Sequence, residues 1–227
     1  MVEQFPFKEA VLGSSPRGLT GYLWPHRLTV RTSGFHPENF WVRIPVGSQV
    51  LKLNSKQLRK TKPVNGEDKD IKRNPIYLVL DNVIDTYNIG SMFRLADAIA
   101  AEKVHICGKD AEYPPNSRIH KAAVGTEEWI SWEKVDNVLQ VLQVLKEKGV
   151  QIIAVEQSEK SIDYRLLTTD LLNFPIAIIV GHETTGISKE VLDLADIIVE
   201  LPMFGVNKSL NVWGSAAIIA YKVIESI

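Results

Sequence analysis

Cysteine is almost absent. The 227-residue chain has one, Cys107, which excludes an internal disulfide and leaves no thiolate set to hold a metal. Its setting, Val104 to Gly108, makes it a small buried hydrophobe rather than a redox group. Long apolar runs are missing too. No stretch approaches the about 18 residues that a membrane helix requires, and the opening MVEQFPFKEA lacks the apolar centre of a signal peptide. No membrane contact and a cytoplasmic location are therefore expected. There is no Gly-x-Gly-x-x-Gly, so a dinucleotide site would have no phosphate loop. His105 and His182 have no second ligand at metal spacing, and no metal is expected. Repeats and low-complexity tracts are absent.

A strong net charge is also lacking, but the formal value of −1 conceals an asymmetry. Residues 1–74 carry 13 Lys and Arg against 6 Asp and Glu, and the remainder carry 13 against 21. The basic part is interspersed with aromatics (Tyr22, Trp24, Phe35, Phe40, Trp41), a combination that suits a polyanion with unpaired bases. Lys52, Lys56, Arg59 and Lys60 are candidate phosphate contacts, and a solvated lysine-rich helix face explains them equally well. Phe40 to Val46 is a possible strand in an otherwise loop-rich first 50 residues, and Pro63 to Asp70 reads as a linker.

With 45% hydrophobic residues the chain can bury a sizeable core, and after residue 74 it alternates strand and helix. Strands are expected at Ile76–Leu80, Lys103–Cys107, Gln151–Val155, Ile176–Val180 and Ile197–Leu201. One helix carries Gly90 and Arg94 in its first turns. Another is capped by Asp136 and closed by Gly149, and a last one begins at an N-cap Ser209, with Val212, Ala216, Ile219 and Val223 on one face. This pattern predicts an α/β fold, a mainly parallel sheet with helices on both faces. Polar residues follow directly on three apolar strands, at Asp85 to Arg94, Gly181 to Gly186 and Gly205 to Asn211. In open α/β sheets such carboxyl-terminal strand ends are where ligands bind.

Asn88-x-Gly90-x-x-x-Arg94, Gly181-x-Glu183-x-x-Gly186, and Leu201-Pro202-Met203 followed by Ser209-Leu210-Asn211-Val212 resemble, in this order, the three motifs of the SpoU (TrmH-like) branch of the SPOUT RNA 2′-O-ribose methyltransferases. The block PPNSRIHKAAVGTEEWISWE between the first two matches as well, and the resemblance runs from about Asn74 to Ile227. It implies a methyltransferase domain over 75–227 with a C-terminal trefoil knot, behind a basic extension, 1–74, that serves as RNA-binding region and linker. It also implies S-adenosylmethionine as cofactor, held by the loops after Val155, Val180 and Leu201, an RNA partner, and a twofold homodimer with the terminal helix in the contact.

Residue by residue, the resemblance gives Arg94, Asn88, Glu183, Ser209 and Asn211 catalytic roles, and Gly181, Leu201, Met203 and Leu210 the adenosyl group. From the residues alone Asn88 could simply cap its helix, and Glu183 could cap one that follows Gly181. A guanidinium is almost never neutral, so Arg94 is better read as a fixed cation beside the developing alkoxide than as a base. Two residues depart from the pattern: Ile187 for leucine, which conserves volume, and Trp213 for a small residue, which either narrows the pocket or packs against another subunit. The leading function is methylation of a ribose 2′-OH in structured RNA, tRNA before ribosomal RNA. A non-catalytic RNA-binding module of the same fold is the alternative, and a small-molecule α/β enzyme is a third reading that predicts no RNA affinity.

Overall fold

The computed structural model describes residues 20–24, 27–31, 52–63 and 71–227. The chain divides into two compact units, Met1–Gln49 and Val50–Ile227. In the first, β1 (Thr20–Trp24) pairs antiparallel with β2 (Arg27–Arg31), Thr20 opposite Arg31 and Trp24 opposite Arg27, two strands in a stretch whose loop-rich pattern did not indicate them. The candidate strand at 40–46 and most of the candidate linker lie outside the described residues.

The second unit opens with a short helix, α1 (Ser55–Leu58), fixed by a capping box: Asn54 Oδ1 accepts from the Lys56 and Gln57 amides, and Gln57 Oε1 accepts from Asn54 N–H. Seven strands then form one sheet, β3 (Asn74–Asp81), β4 (Ala101–Cys107), β5 (Trp132–Val135), β6 (Gln151–Val155), β7 (Ile162–Asp163), β8 (Ile176–Val180) and β9 (Ile197–Glu200). Their spatial order is β5-β4-β3-β8-β6-β9-β7, and every pairing is parallel. Five more helices cover it: α2 (Thr86–Ala98), α3 (Ser117–Ala123), α4 (Val138–Glu147), α5 (Lys189–Leu192) and α6 (Val212–Ile224).

Both sheet faces are buried, which is why the central strands read as unbroken apolar runs rather than alternating ones. Ile76, Leu78 and Leu80 of β3, with Ile176, Ile178 and Val180 of β8, pack on the side of α2, α3 and α6. Val79, Ile152, Ala154, Ala177 and Ile179 face α4 and α5 through Val138, Leu142, Leu145 and Val191. Cys107 belongs to the second layer, where burial and the nearby Asp81 carboxylate push its thiol up to about 12, so it stays an inert thiol.

Two caps differ from the sequence reading. α4 is capped by Asn137, whose Oδ1 accepts from Leu139 N–H at 3.0 Å, while Asp136 pairs with Lys134 at 3.0 Å. α6 is capped by Asn211, not Ser209: Asn211 Oδ1 accepts from Trp213 N–H at 3.0 Å, so the helix starts two residues later than expected. The block between the first two motifs, unassigned from its pattern, forms α3, a 3₁₀ turn at Thr126–Glu128 and β5. Gly90 explains the close approach of α3 to α2, since a Cβ there would lie 2.6 Å from both Ala122 Cβ and the Ile119 carbonyl oxygen.

Candidate active site at the carboxyl ends of the strands

A cavity of about 490 Å³ opens at the carboxyl ends of β6, β8 and β9. Its walls are the start of the loop after β6 (Glu156, Gln157), the loop after β8 (Gly181 to Gly186) and the loop between β9 and α6 (Leu201 to Asn211). Strand-end loops converge here because parallel strands all present this end to the same side of the sheet.

The loop after β8 is built to be tight. His182 and Gly186 exchange backbone hydrogen bonds, and His182 Nδ1 accepts from the Thr184 and Thr185 amides at 3.0 and 3.3 Å. The imidazole thus serves the loop's own structure. A Cβ on Gly181 would fall within 3.0 Å of Gly186 backbone atoms, so the two glycines of the second motif lie against each other.

Glu183 ties that loop to the first motif. Its carboxylate accepts from Asn88 Nδ2 at 3.0 Å, from Asp85 N–H at 3.0 Å and from Ile84 N–H at 3.4 Å. Burial is the largest single influence and pulls the carboxyl upward, but the hydrogen bonds from Asn88 and from backbone amides together outweigh it and hold it below the ordinary value. Neither capping alternative describes these residues. Asp85 caps α2 by accepting from Tyr87 N–H at 2.8 Å, Asn88 is buried within the first turn, and Ser188 caps α5.

The structure gathers most, though not all, of the sequence candidates. Gly181, Glu183, Leu201, Met203, Ser209, Leu210 and Asn211 line the cavity, and Asn88 reaches it through Glu183. Ser209, released from capping, is exposed in that wall, whereas the side-chain oxygen of Asn211 is committed to the cap. Arg94 does not line the cavity; it stands exposed on α2. Lys52, Lys56, Arg59 and Lys60 are exposed on and around α1, also outside it, and the neighbouring Lys62 pairs with Glu128 at 3.0 Å. Trp213 does not narrow the pocket either: it lies outside the lining and is 44% exposed.

Sequence reasoning missed Glu156, Gln157 and Glu200, all in the wall. Glu156 and Gln157 follow an apolar strand just as Glu183 does, and that signal would have found them. Carboxylates of Glu183 and Glu200 set against aliphatic Val155, Val180, Leu201 and Leu210 fit a cationic sulfonium nucleoside, and the volume lies in the about 300–1,000 Å³ range of small-ligand sites. Among the described residues no cluster of His, Cys, Asp and Glu could hold a metal ion, and no helix is long and apolar enough to cross a membrane.

The profile of the SpoU rRNA Methylase family matches residues 75–221. The tRNA (guanosine(18)-2′-O)-methyltransferase of Borreliella burgdorferi is 30% identical over 80% of this chain and 78% of its own. Longer relatives named as 23S rRNA (guanosine-2′-O-)-methyltransferases also match, and the chain spans less than two thirds of their length. The crystal structure of the Aquifex aeolicus TrmH/SpoU tRNA modifying enzyme superposes with a TM-score of 0.61 at 30% identity, over 76% of this chain and 81% of that one. AviRb of Streptomyces viridochromogenes, a SpoU methyltransferase solved with the cofactor AdoMet, shares the fold at a TM-score of 0.60 and 22% identity, over 68% of this chain and 61% of its own. The parallel sheet is therefore the SPOUT fold, with the C-terminal trefoil knot that the resemblance implied. Motifs, cavity and likeness agree that the chain belongs to the SpoU rRNA methylase family, and so to the S-adenosylmethionine-dependent enzymes that methylate ribose 2′-hydroxyls in RNA.

Proposed function

We propose that this chain methylates a ribose 2′-OH in a structured tRNA, with ribosomal RNA as the second substrate class. The cavity at the ends of β6, β8 and β9, rimmed by the Asn88–Glu183 bond, is the observation that carries this reading. S-adenosylmethionine, when bound, supplies an electrophilic sulfonium methyl. Gly181, Leu201, Met203 and Leu210 would hold its adenosyl part through backbone and aliphatic contacts. The chain's remaining task is to place a ribose hydroxyl in line with that methyl and to stabilise charge on its oxygen as the proton leaves for an RNA phosphate. Asn88, held by Glu183, is assigned to the ribose, with Ser209 and Asn211 positioning the groups around it. Arg94 is the cation for the developing alkoxide.

Arg94 lies outside the cavity of its own chain, which favours a site completed by a second copy. The terminal helix offers a surface for it. On α6, Trp213, Ala217, Ile218 and Tyr221 fall on one arc about 140° wide at 100° per residue, opposite the buried Ala216, Ile219 and Val223. Trp213, Ile218 and Tyr221 are 44%, 40% and 53% exposed, a composition suited to an isologous contact anchored by aromatics. Lys52, Lys56, Arg59 and Lys60, together with the basic N-terminal segment, are assigned to RNA phosphates, and the cytoplasm, where tRNA is processed, is the proposed location. Transfer of labelled methyl from S-adenosylmethionine to unmodified tRNA and to ribosomal RNA, followed by nucleoside mass spectrometry, tests the reading. A 2′-O-methylnucleoside in tRNA is expected; binding of RNA without transfer would favour the non-catalytic module.

A further inference from the structure

Glu156 and Gln157 follow β6 and belong to none of the three motifs, yet each reaches a different wall of the cavity. Glu156 Oε2 accepts from Ile187 N–H at 2.9 Å, and its Oε1 accepts from Gln157 N–H at 2.9 Å, so both carboxylate oxygens are aimed by backbone amides. Gln157 Nε2 donates to the Lys208 carbonyl oxygen at 2.7 Å, immediately before Ser209 and Leu210. Gly186 supplies an independent observation. Its φ is +68°, and a Cβ built on it would come within 3.0 Å of Glu156 Oε2, so the carboxylate occupies the space that any other residue would fill.

We infer that Glu156 and Gln157 are positioning residues that clasp the loops after β8 and β9 to the end of β6, setting the width of the cofactor cavity. The inference rests on the proposed use of that cavity for S-adenosylmethionine. Each residue acts through its neighbours: Glu156 through the Ile187 amide and thus the Gly181–Gly186 turn, Gln157 through the Lys208 carbonyl and thus the Ser209–Leu210 wall. A loop amide deprived of its acceptor returns to water, and the wall it belongs to loses its fixed place. Glycine at 186 is then favoured on two counts, its positive φ and the Glu156 carboxylate that lies where a Cβ would stand, and the second comes from a side chain 30 positions upstream.

Two measurements separate this inference from the function reading. Hydrogen–deuterium exchange on the cofactor-free protein should show residues 181–188 exchanging about tenfold faster in Glu156→Ala, with the core strand β3 unchanged, and near the native rate in Glu156→Gln, which retains an acceptor oxygen. Calorimetric titration with S-adenosylmethionine should show Kd raised about tenfold in Glu156→Ala, about threefold in the exposed Gln157→Ala, and within about threefold of native in Glu156→Gln. Under turnover the Glu156→Ala loss should fall on KM rather than on kcat. Unchanged loop exchange in Glu156→Ala would overturn the clasp whether or not cofactor binds, and so would a Gln variant as impaired as Ala or a loss confined to kcat. If Glu156→Ala does not fold, Gln157→Ala carries the test, with the about threefold rise in Kd expected and a native Kd refuting it. Native protein that fails to bind S-adenosylmethionine would sink the function reading, while the exchange result would still decide the clasp.

Discussion

Replacing Gly90 by alanine should destabilise the domain even though it removes a glycine from a helix. In an isolated helix the change would gain about 1 kcal/mol. Here the new Cβ would sit 2.6 Å from Ala122 Cβ, 2.6 Å from the Ile119 carbonyl oxygen and 2.9 Å from the Ala123 nitrogen, all on α3. Two of those atoms are backbone and cannot rotate away, so the helices must part, and the cost belongs at the upper end of overpacking, about 3 kcal/mol. The net loss is about 2 kcal/mol, which for a domain of this size lowers Tm by about 4–8 °C. Scanning calorimetry and urea denaturation would measure it. Adding Ala122→Gly removes the Cβ–Cβ clash but neither backbone one, so rescue should be partial. A Tm equal to or above native in Gly90→Ala would refute the close-packing explanation of the first motif's glycine.

Glu183 carries a pH-dependent contribution. Its carboxyl is held below the ordinary value in the folded chain, so its stabilisation is present above the unfolded pKa of about 4.3 and is lost as pH falls through the lower folded value. Glu183→Gln should therefore melt below native at neutral pH, with the gap closing as pH falls below the ordinary glutamate range; a gap independent of pH would count against the Asn88–Glu183 bond as its source. Arg94→Ala should reduce kcat by at least about 10²-fold with little effect on Tm, because the side chain is exposed, and near-normal turnover in Arg94→Ala would remove it from the oxyanion role. Trp213→Arg should shift the protein toward monomer in sedimentation at micromolar concentration and lower activity in parallel, whereas a native protein that sediments as one chain would contradict the proposed dimer.

The strands that position the site were legible because parallel strands buried on both faces must be written as continuous apolar runs. Gln151–Val155 and Ile176–Val180 appear with the bounds their patterns indicate. Caps were less legible, since Asp136 and Asn137 are both good N-caps, as are Ser209 and Asn211, and only the backbone path chooses between neighbours. The stretch from Ser117 to Val135 stayed unassigned because α3 is short and β5 is half-buried at the sheet edge, which leaves neither a clean period.

By itself the sequence determined the chemistry available at each strand end: which loops carry amides, carboxylates, a hydroxyl and glycines, and in what order. Tertiary structure alone decided how they combine. Glu183 meets Asn88 across 95 positions, Glu156 fills the space beside Gly186, and Arg94 lies outside the cavity it was expected to serve. The reason is physical. A motif records local spacing, whereas a site is assembled by strand order, here β3-β8-β6-β9, which sets side by side segments that the chain visits far apart.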